Sequence, residues 1–145
     1  MISLTRYHDA VADLSYRFVH LVEEAFEIPV GTFDNLFSGG AVKQYLPPQH
    51  RIKLLKYPPS QSEDESLGVG PHRDSSGWLT FLYQVGDENA LEVVNSNGDW
   101  VPAPPIAGTF VVNFGNAFGA ATNDAVKATI HRVKVGREAT ETHWL

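Results

Sequence analysis

The chain has 145 residues, 43% hydrophobic and 19% charged, which fits one globular domain with a sizeable core. Its formal net charge of −6 argues against nucleic acid or an anionic membrane surface as a partner. No cysteine is present, which excludes a disulfide framework and a thiolate metal site and fits a cytoplasmic protein. No apolar run is long enough to span a membrane, and the first ten residues hold no apolar signal core.

In chain order, the first predicted element is an amphipathic helix over residues 7–26. Tyr7, Val11, Leu14, Phe18, Leu21, Val22 and Ala25 recur in steps of three and four, with Ser3 or Thr5 as a cap and Pro29 and Gly31 as terminators. A helical turn over 32–37 precedes Gly39 and Gly40. The period then changes to that of strands. Residues 51–57 read as a strand closed by Pro58 and Pro59, and 60–70 as a polar, acidic loop. Further strands are expected at 78–85, 90–94, 100–101, 109–114 and 128–135. Asn97-Gly98 is a hairpin-type turn signal, and Pro102, Pro104 and Pro105 mark a bend. Short strands with regular turns behind a leading helix predict a mainly β protein, a small barrel or double-sheet jelly roll.

The pattern with chemical content is His72-Arg73-Asp74, followed 57 residues after Asp74 by His131 in Thr-Ile-His-Arg-Val. Two histidines and one carboxylate are the ligand set that holds non-haem Fe(II) with open coordination positions. In a strand, residues i and i+2 share a face, so His72 and Asp74 can reach one ion together. His131 would come from a strand distant in sequence. A His-x-Asp triplet alone is a weak signal, because short motifs recur by chance.

Beyond the triplet, the stretch from 52 to 133 resembles the catalytic core of the 2-oxoglutarate and Fe(II)-dependent dioxygenases, in their isopenicillin N synthase-like branch. The segments that carry the resemblance are Lys-Tyr-Pro-Pro (56–59), Gly-Val-Gly-Pro-His-Arg-Asp (68–74), Leu-Thr-Phe-Leu-Tyr-Gln (79–84), Asn-Gly-Asp-Trp-Val (97–101), Gly-Thr-Phe-Val-Val-Asn-Phe-Gly (108–115) and Ala-Thr-Ile-His-Arg-Val (128–133). The resemblance implies a single domain over 1–145, with a leading helical segment at 1–40 and a cupin-like double-stranded β-helix, or jelly roll, at 51–135. It implies that His72, Asp74 and His131 bind Fe(II). 2-Oxoglutarate and O2 would be co-substrates, and a small organic molecule would be hydroxylated, desaturated or cyclised with release of succinate and CO2. Imidazole must be neutral to bind a metal, so affinity should fall in acid.

The far carboxylate of 2-oxoglutarate needs a cation and a hydroxyl, and here the chain departs from the family pattern of an Arg, one residue, then a Ser. Arg137-Glu138-Ala139 stands in that region, only six residues past His131, and Ala139 has no hydroxyl. Tyr57 matches the family tyrosine that helps hold this carboxylate. Lys53 stands where an Arg is usual and Leu55 where an asparagine is frequent; on a strand, Lys53, Leu55 and Tyr57 would share a face. The resemblance also implies a chain shortened at both ends, with the barrel's closing strand missing.

Two other readings stand beside the oxygenase. One is a non-catalytic barrel that keeps the metal and has lost 2-oxoglutarate capture. The other is a zinc hydrolase on the same three ligands, since zinc accepts them too. His8, His20, His50 and His143 show no partner pattern, and Glu63, Asp64 and Glu65 read as a solvated charge run. Trp78 and Trp100 read as core or rim aromatics, and Phe81 and Phe118 as residues that could line a substrate pocket.

Overall fold

The protein is described by a computed structural model that covers residues 4–34, 51–57, 66–75, 78–135 and 143–144. It divides into two compact units, Met1–Ile52 and Lys53–Leu145. The expected Ser3 cap, the end of the 32–37 turn, Gly39-Gly40, Pro58-Pro59, the 60–65 part of the acidic loop and Arg137 lie outside the described residues.

In the first unit, helix α1 spans Leu4–Ala25. The period of three and four predicts it well, but Thr5 lies inside it rather than capping it. The sequence reading also missed the burial of Glu23, which is fully enclosed. Its two carboxylate oxygens accept the backbone N–H groups of Gly31 at 2.7 Å and Phe33 at 2.6 Å, so the charge closes the turn that follows the helix. His20, expected to lack a partner, meets Asp34 at 2.8 Å.

Among its described residues the second unit has eight short strands. They are β1 (Lys56–Tyr57), β2 (Ser66–His72), β3 (Leu79–Leu82), β4 (Leu91–Val94), β5 (Trp100–Pro102), β6 (Val111–Phe114), β7 (His131–Val135) and β8 (His143–Trp144). A second helix, α2 (Asn116–Ala121), follows β6. Strands β2, β7, β4 and β5 form a four-stranded sheet in that order; β3 pairs with β6, and β1 with β8. All pairs that are described are antiparallel.

Alternation decides what faces inward. On β7, His131, Val133 and Val135 are buried while Arg132 and Lys134 are less so. Val133 and Val135 join Tyr57 and Leu91 in the core, with Val69, Leu82, Ala90, Ala103 and Val111 packed around them. Residues from all three sheets thus share one apolar centre, as a jelly roll requires. The opposite face of the large sheet is polar. There Arg132 donates to Glu92 at 2.7 Å and lies 4.0 Å over the ring of Trp100, and Lys134 meets the other Glu92 oxygen at 3.3 Å. Asn97-Gly98 forms the expected turn between β4 and β5. Gly98 has φ +90°, and the Asn95 side-chain oxygen accepts the N–H groups of both Asn97 and Asp99.

Several elements differ from expectation. The strand expected over 51–57 is confined to β1, and residues 51–55 carry no strand. Residues 66–70 are strand rather than loop. Helix α2 and strand β8 were not anticipated. Strand β2 was missed because Gly68, Gly70 and Pro71 make its sequence read as a turn.

Gly68 has a packing reason. A Cβ there would stand 2.6 Å from the Tyr57 ring and 2.9 Å from Val135 Cγ2, both in the core. Gly68→Ala is therefore expected to destabilise the fold by about 1–3 kcal/mol, the usual cost of overpacking. Urea unfolding measures this, and a variant as stable as the parent would show that Tyr57 does not sit against β2.

Candidate metal centre

His72 and His131 are direct partners across the β2–β7 pair. This pairing brings together residues far apart in sequence, and their rings lie with centroids 4.2 Å apart. It depends on an irregularity. Val69 pairs with Val133, and His72 with His131, so three steps along β2 match two along β7. The extra residue falls at Gly70 or Pro71, and it reverses which side chains face inward. Val69 and His72 then share the inner face although they are an odd number of residues apart. Asp74 is not in a strand; it lies just beyond the end of β2. Its carbonyl accepts the N–H of Asn116 at the start of α2, 2.8 Å away.

The three side chains converge through specific atoms. Nε2 of His72 is 3.9 Å, and Nε2 of His131 is 3.8 Å, from Oδ1 of Asp74. Every other polar atom of the trio is already engaged. Nδ1 of His72 donates to the Gly70 carbonyl at 2.9 Å, and Nδ1 of His131 to the Thr129 carbonyl at 3.1 Å. A carbonyl can only accept, so each Nδ1 carries the proton and each Nε2 presents a lone pair. Oδ2 of Asp74 accepts Thr80 Oγ1 at 2.8 Å and Asn113 Nδ2 at 2.7 Å, which leaves Oδ1 directed at the histidines.

Two imidazole lone pairs and one carboxylate oxygen, within 4.8 Å of one another, fit a divalent ion. Bonds of about 2.1 Å set neighbouring ligand atoms about 3 Å apart, so the 3.8 and 3.9 Å separations would close by somewhat under 1 Å around a bound ion. His131 is buried and Asp74 half-buried, whereas the His72 side chain is 40% exposed, so the site opens on the His72 side. Burial alone would push the Asp74 carboxyl up. The hydrogen bonds from Asn113 and Thr80, and then the positive charge of the two imidazoles when protonated, outweigh burial and hold it below its ordinary value. Arg73, between the two ligands, reaches away and donates through Nε to the Ala128 carbonyl at 3.1 Å.

Of the residues expected to meet 2-oxoglutarate, Tyr57 is buried in the core and Lys53 is exposed ahead of β1; Arg137 is outside the described residues. The Tyr57 hydroxyl is fully enclosed and has no hydrogen-bond partner among the described residues. Burial raises its pKa, so it stays a neutral donor. A buried hydroxyl without a partner fits an enzyme that supplies the partner as a ligand, and an anionic carboxylate is a strong acceptor. Phe81 and Phe118 pack among other aromatic rings. Phe81 sits on the opposite face of β3 from Thr80, against Phe110, and Phe118 is buried between Phe114 and Trp78. Thr80 and Asn113 are the site residues that the sequence reading missed. Their signal was a polar residue at an inward position in each of two otherwise apolar strands.

Comparison with known proteins identifies the class to which this fold and site belong. The model of the 2OG-Fe(II) oxygenase superfamily matches residues 45–144, more than half of the chain. The chain belongs to the 2-oxoglutarate and Fe(II)-dependent oxygenases, a family that uses Fe(II), 2-oxoglutarate and O2 and acts on small molecules. It is 40% identical over 139 residues to a 2-oxoglutarate-dependent dioxygenase of Gibberella zeae, covering 93% of this chain and 34% of that protein. It is 33% identical over 136 residues to a homoarginine-6-hydroxylase of Oryza sativa subsp. japonica, covering 91% of this chain and 39% of that one. Among solved structures, a full-length Neurospora crassa protein in complex with alpha-KG and 5-formyluracil matches with a TM-score of 0.76 at 26% identity, over 96% of this chain and 44% of that chain. The chain spans about a third of the length of the first curated relatives it matches. The fold is the jelly roll of the family, mainly β with a leading helix. Among the described residues, no helix is long and apolar enough to cross a membrane.

An enclosed hydroxyl with no partner costs about 1–3 kcal/mol. Tyr57→Phe in ligand-free protein is therefore expected to match or exceed the parent's thermal stability. A clear loss of stability would mean that the hydroxyl already has a partner within the fold.

Proposed function

We propose that this chain carries the catalytic centre of a 2-oxoglutarate-dependent dioxygenase that oxidises a small organic molecule. The observation that supports this most is the engagement of every competing atom in the trio, so that two Nε2 atoms and one Oδ1 are left to bind an ion. His72, Asp74 and His131 would hold Fe(II). Bound there, the iron would supply the redox chemistry that couples decarboxylation of 2-oxoglutarate by O2 to oxidation of a substrate C–H bond, with succinate and CO2 as co-products. The neutral histidines and single carboxylate leave the site net positive, which favours an anionic co-substrate. Tyr57 would donate its enclosed hydroxyl to the far carboxylate, and Lys53 or Arg137 would supply the balancing positive charge.

The substrate reading stays at the level of a small organic molecule. Relatives bear the names of a homoarginine hydroxylase and a gibberellin oxidase, and similar folds were solved with 5-formyluracil or with JA, so one scaffold accepts unrelated compounds. The acidic composition supports a reading without nucleic-acid or anionic-membrane partners. The catalytic reading is favoured over a non-catalytic barrel because relatives at 33–40% identity are named as dioxygenases and hydroxylases. Family membership removes the ground for a zinc hydrolase.

Anaerobic titration of Fe(II)-loaded protein with 2-oxoglutarate tests the proposal without knowledge of the substrate. A saturable visible charge-transfer band, absent in His72→Ala, is the expected result. Bound iron with no band in a folded protein would favour the non-catalytic barrel.

A further inference from the structure

Asp74 is the only one of the three proposed ligands whose second polar atom is held by side chains. Nδ1 of both histidines is fixed by the backbone of its own chain segment, two residues earlier. Oδ2 of Asp74 is held instead from the other sheet, by Thr80 on β3 and Asn113 on β6. These two residues are direct partners in the β3–β6 register, so Oγ1 and Nδ2 stand side by side on the inner face. The β-branched Thr80 has few rotamers, and Asn113 offers two N–H donors on a planar group. Together they form a fork that closes on one oxygen.

We propose that Thr80 and Asn113 are positioning residues that restrict Asp74 to ligation through Oδ1 alone. The inference rests on the metal reading given above. A carboxylate free to rotate can present both oxygens to one ion and fill two coordination positions. Here, turning Oδ2 toward the ion breaks two hydrogen bonds to a charged acceptor, which are among the stronger kind. Ligation through one oxygen keeps open the positions that a chelating keto acid and O2 need. The fork also links the four-stranded sheet, which carries both histidines, to the two-stranded sheet at the metal end of the barrel. Further in, Leu82 and Val111 face the apolar core on the same sides of these strands, so Thr80 and Asn113 mark where the lining turns polar.

The test is binding of Co(II) to the full metal-free chain, with His131→Ala as the control for the site. Thr80→Val keeps the side-chain shape and removes the hydroxyl; Thr80→Ser keeps the hydroxyl; Asn113→Ala removes the amide. The expected result is Co(II) binding weakened about tenfold or more in Thr80→Val and Asn113→Ala, as for other groups that orient metal ligands. The visible absorption of the bound Co(II) should change in the same variants, reporting altered coordination, and Thr80→Ser should restore the parent's affinity and spectrum. A purely structural role would not move the spectrum of the metal that still binds. If Asn113→Ala does not fold, the Thr80→Val and Thr80→Ser pair decides the matter. Unchanged affinity and spectrum in folded Thr80→Val would overturn the proposal and leave the metal reading intact. Equal Co(II) binding by the parent and His131→Ala, or none by the parent, would overturn the metal reading and this proposal with it.

Discussion

The site depends on one extra residue in β2. With strict pairing against β7, Val69 and His72 would face opposite sides of the sheet, because side chains alternate. The irregularity between them lets both face inward, where β7 presents Val133 and His131. One strand thereby contributes to two environments. Its Val69 end packs against the apolar core, and its His72 end meets the candidate ligands Asp74 and His131. The Gly70 carbonyl inside the irregular stretch also sets the tautomer of His72. The same local departure from regular pairing therefore aims the ring and selects the nitrogen it offers.

A second constraint acts on the first. Three potential ligands packed within 4.8 Å could pair with one another and cancel their affinity for an ion. Their orientation prevents it. Each histidine has its proton committed to a backbone carbonyl, so neither has a second N–H to give to Asp74 while neutral. Asp74 spends one oxygen on Thr80 and Asn113, and these donors hold its carboxyl below the ordinary range despite burial. The carboxylate is thus kept charged, and each neutral imidazole, held through its Nδ1–H, offers its Nε2 lone pair, as a divalent metal needs. The buried hydroxyl of Tyr57 is likewise a donor to which the described residues give nothing to bind.

The sequence made the chemistry easier to read than the architecture. The convergence of His72, Asp74 and His131 was legible because metal ligation demands particular residue types, and a short spacing with a distant third residue is informative. Helix α1 was legible from its period, though it starts earlier than expected, and β3 to β7 from their branched and aromatic content, with β3, β4, β6 and β7 shorter than expected and β5 longer. Strand β2 was not, because Gly68 and the Gly70-Pro71 pair serve packing and register there and carry the composition of a loop. Helix α2 was hidden by its short length and small residues, and Glu23 by its ordinary place on a charged helix. Thr80 and Asn113 were quoted within matching segments, yet their role needs the β3–β6 register, which no single strand reveals. The expectation that His72 and Asp74 share a strand face reached the right convergence by an incomplete route. Asp74 lies past the strand end and is oriented by its hydrogen bonds instead.

The most direct measurement is X-ray absorption at the iron edge on the chain loaded anaerobically with Fe(II). Two imidazoles and a carboxylate bound through one oxygen should appear as a light-atom shell at about 2.1 Å with strong multiple scattering from the rings. The ring scattering should fall by about half in His72→Ala, since His72 is one of two histidines in the site. Iron bound in an oxygen-only shell, with no imidazole scattering, would contradict the assignment of His72, Asp74 and His131 as its ligands.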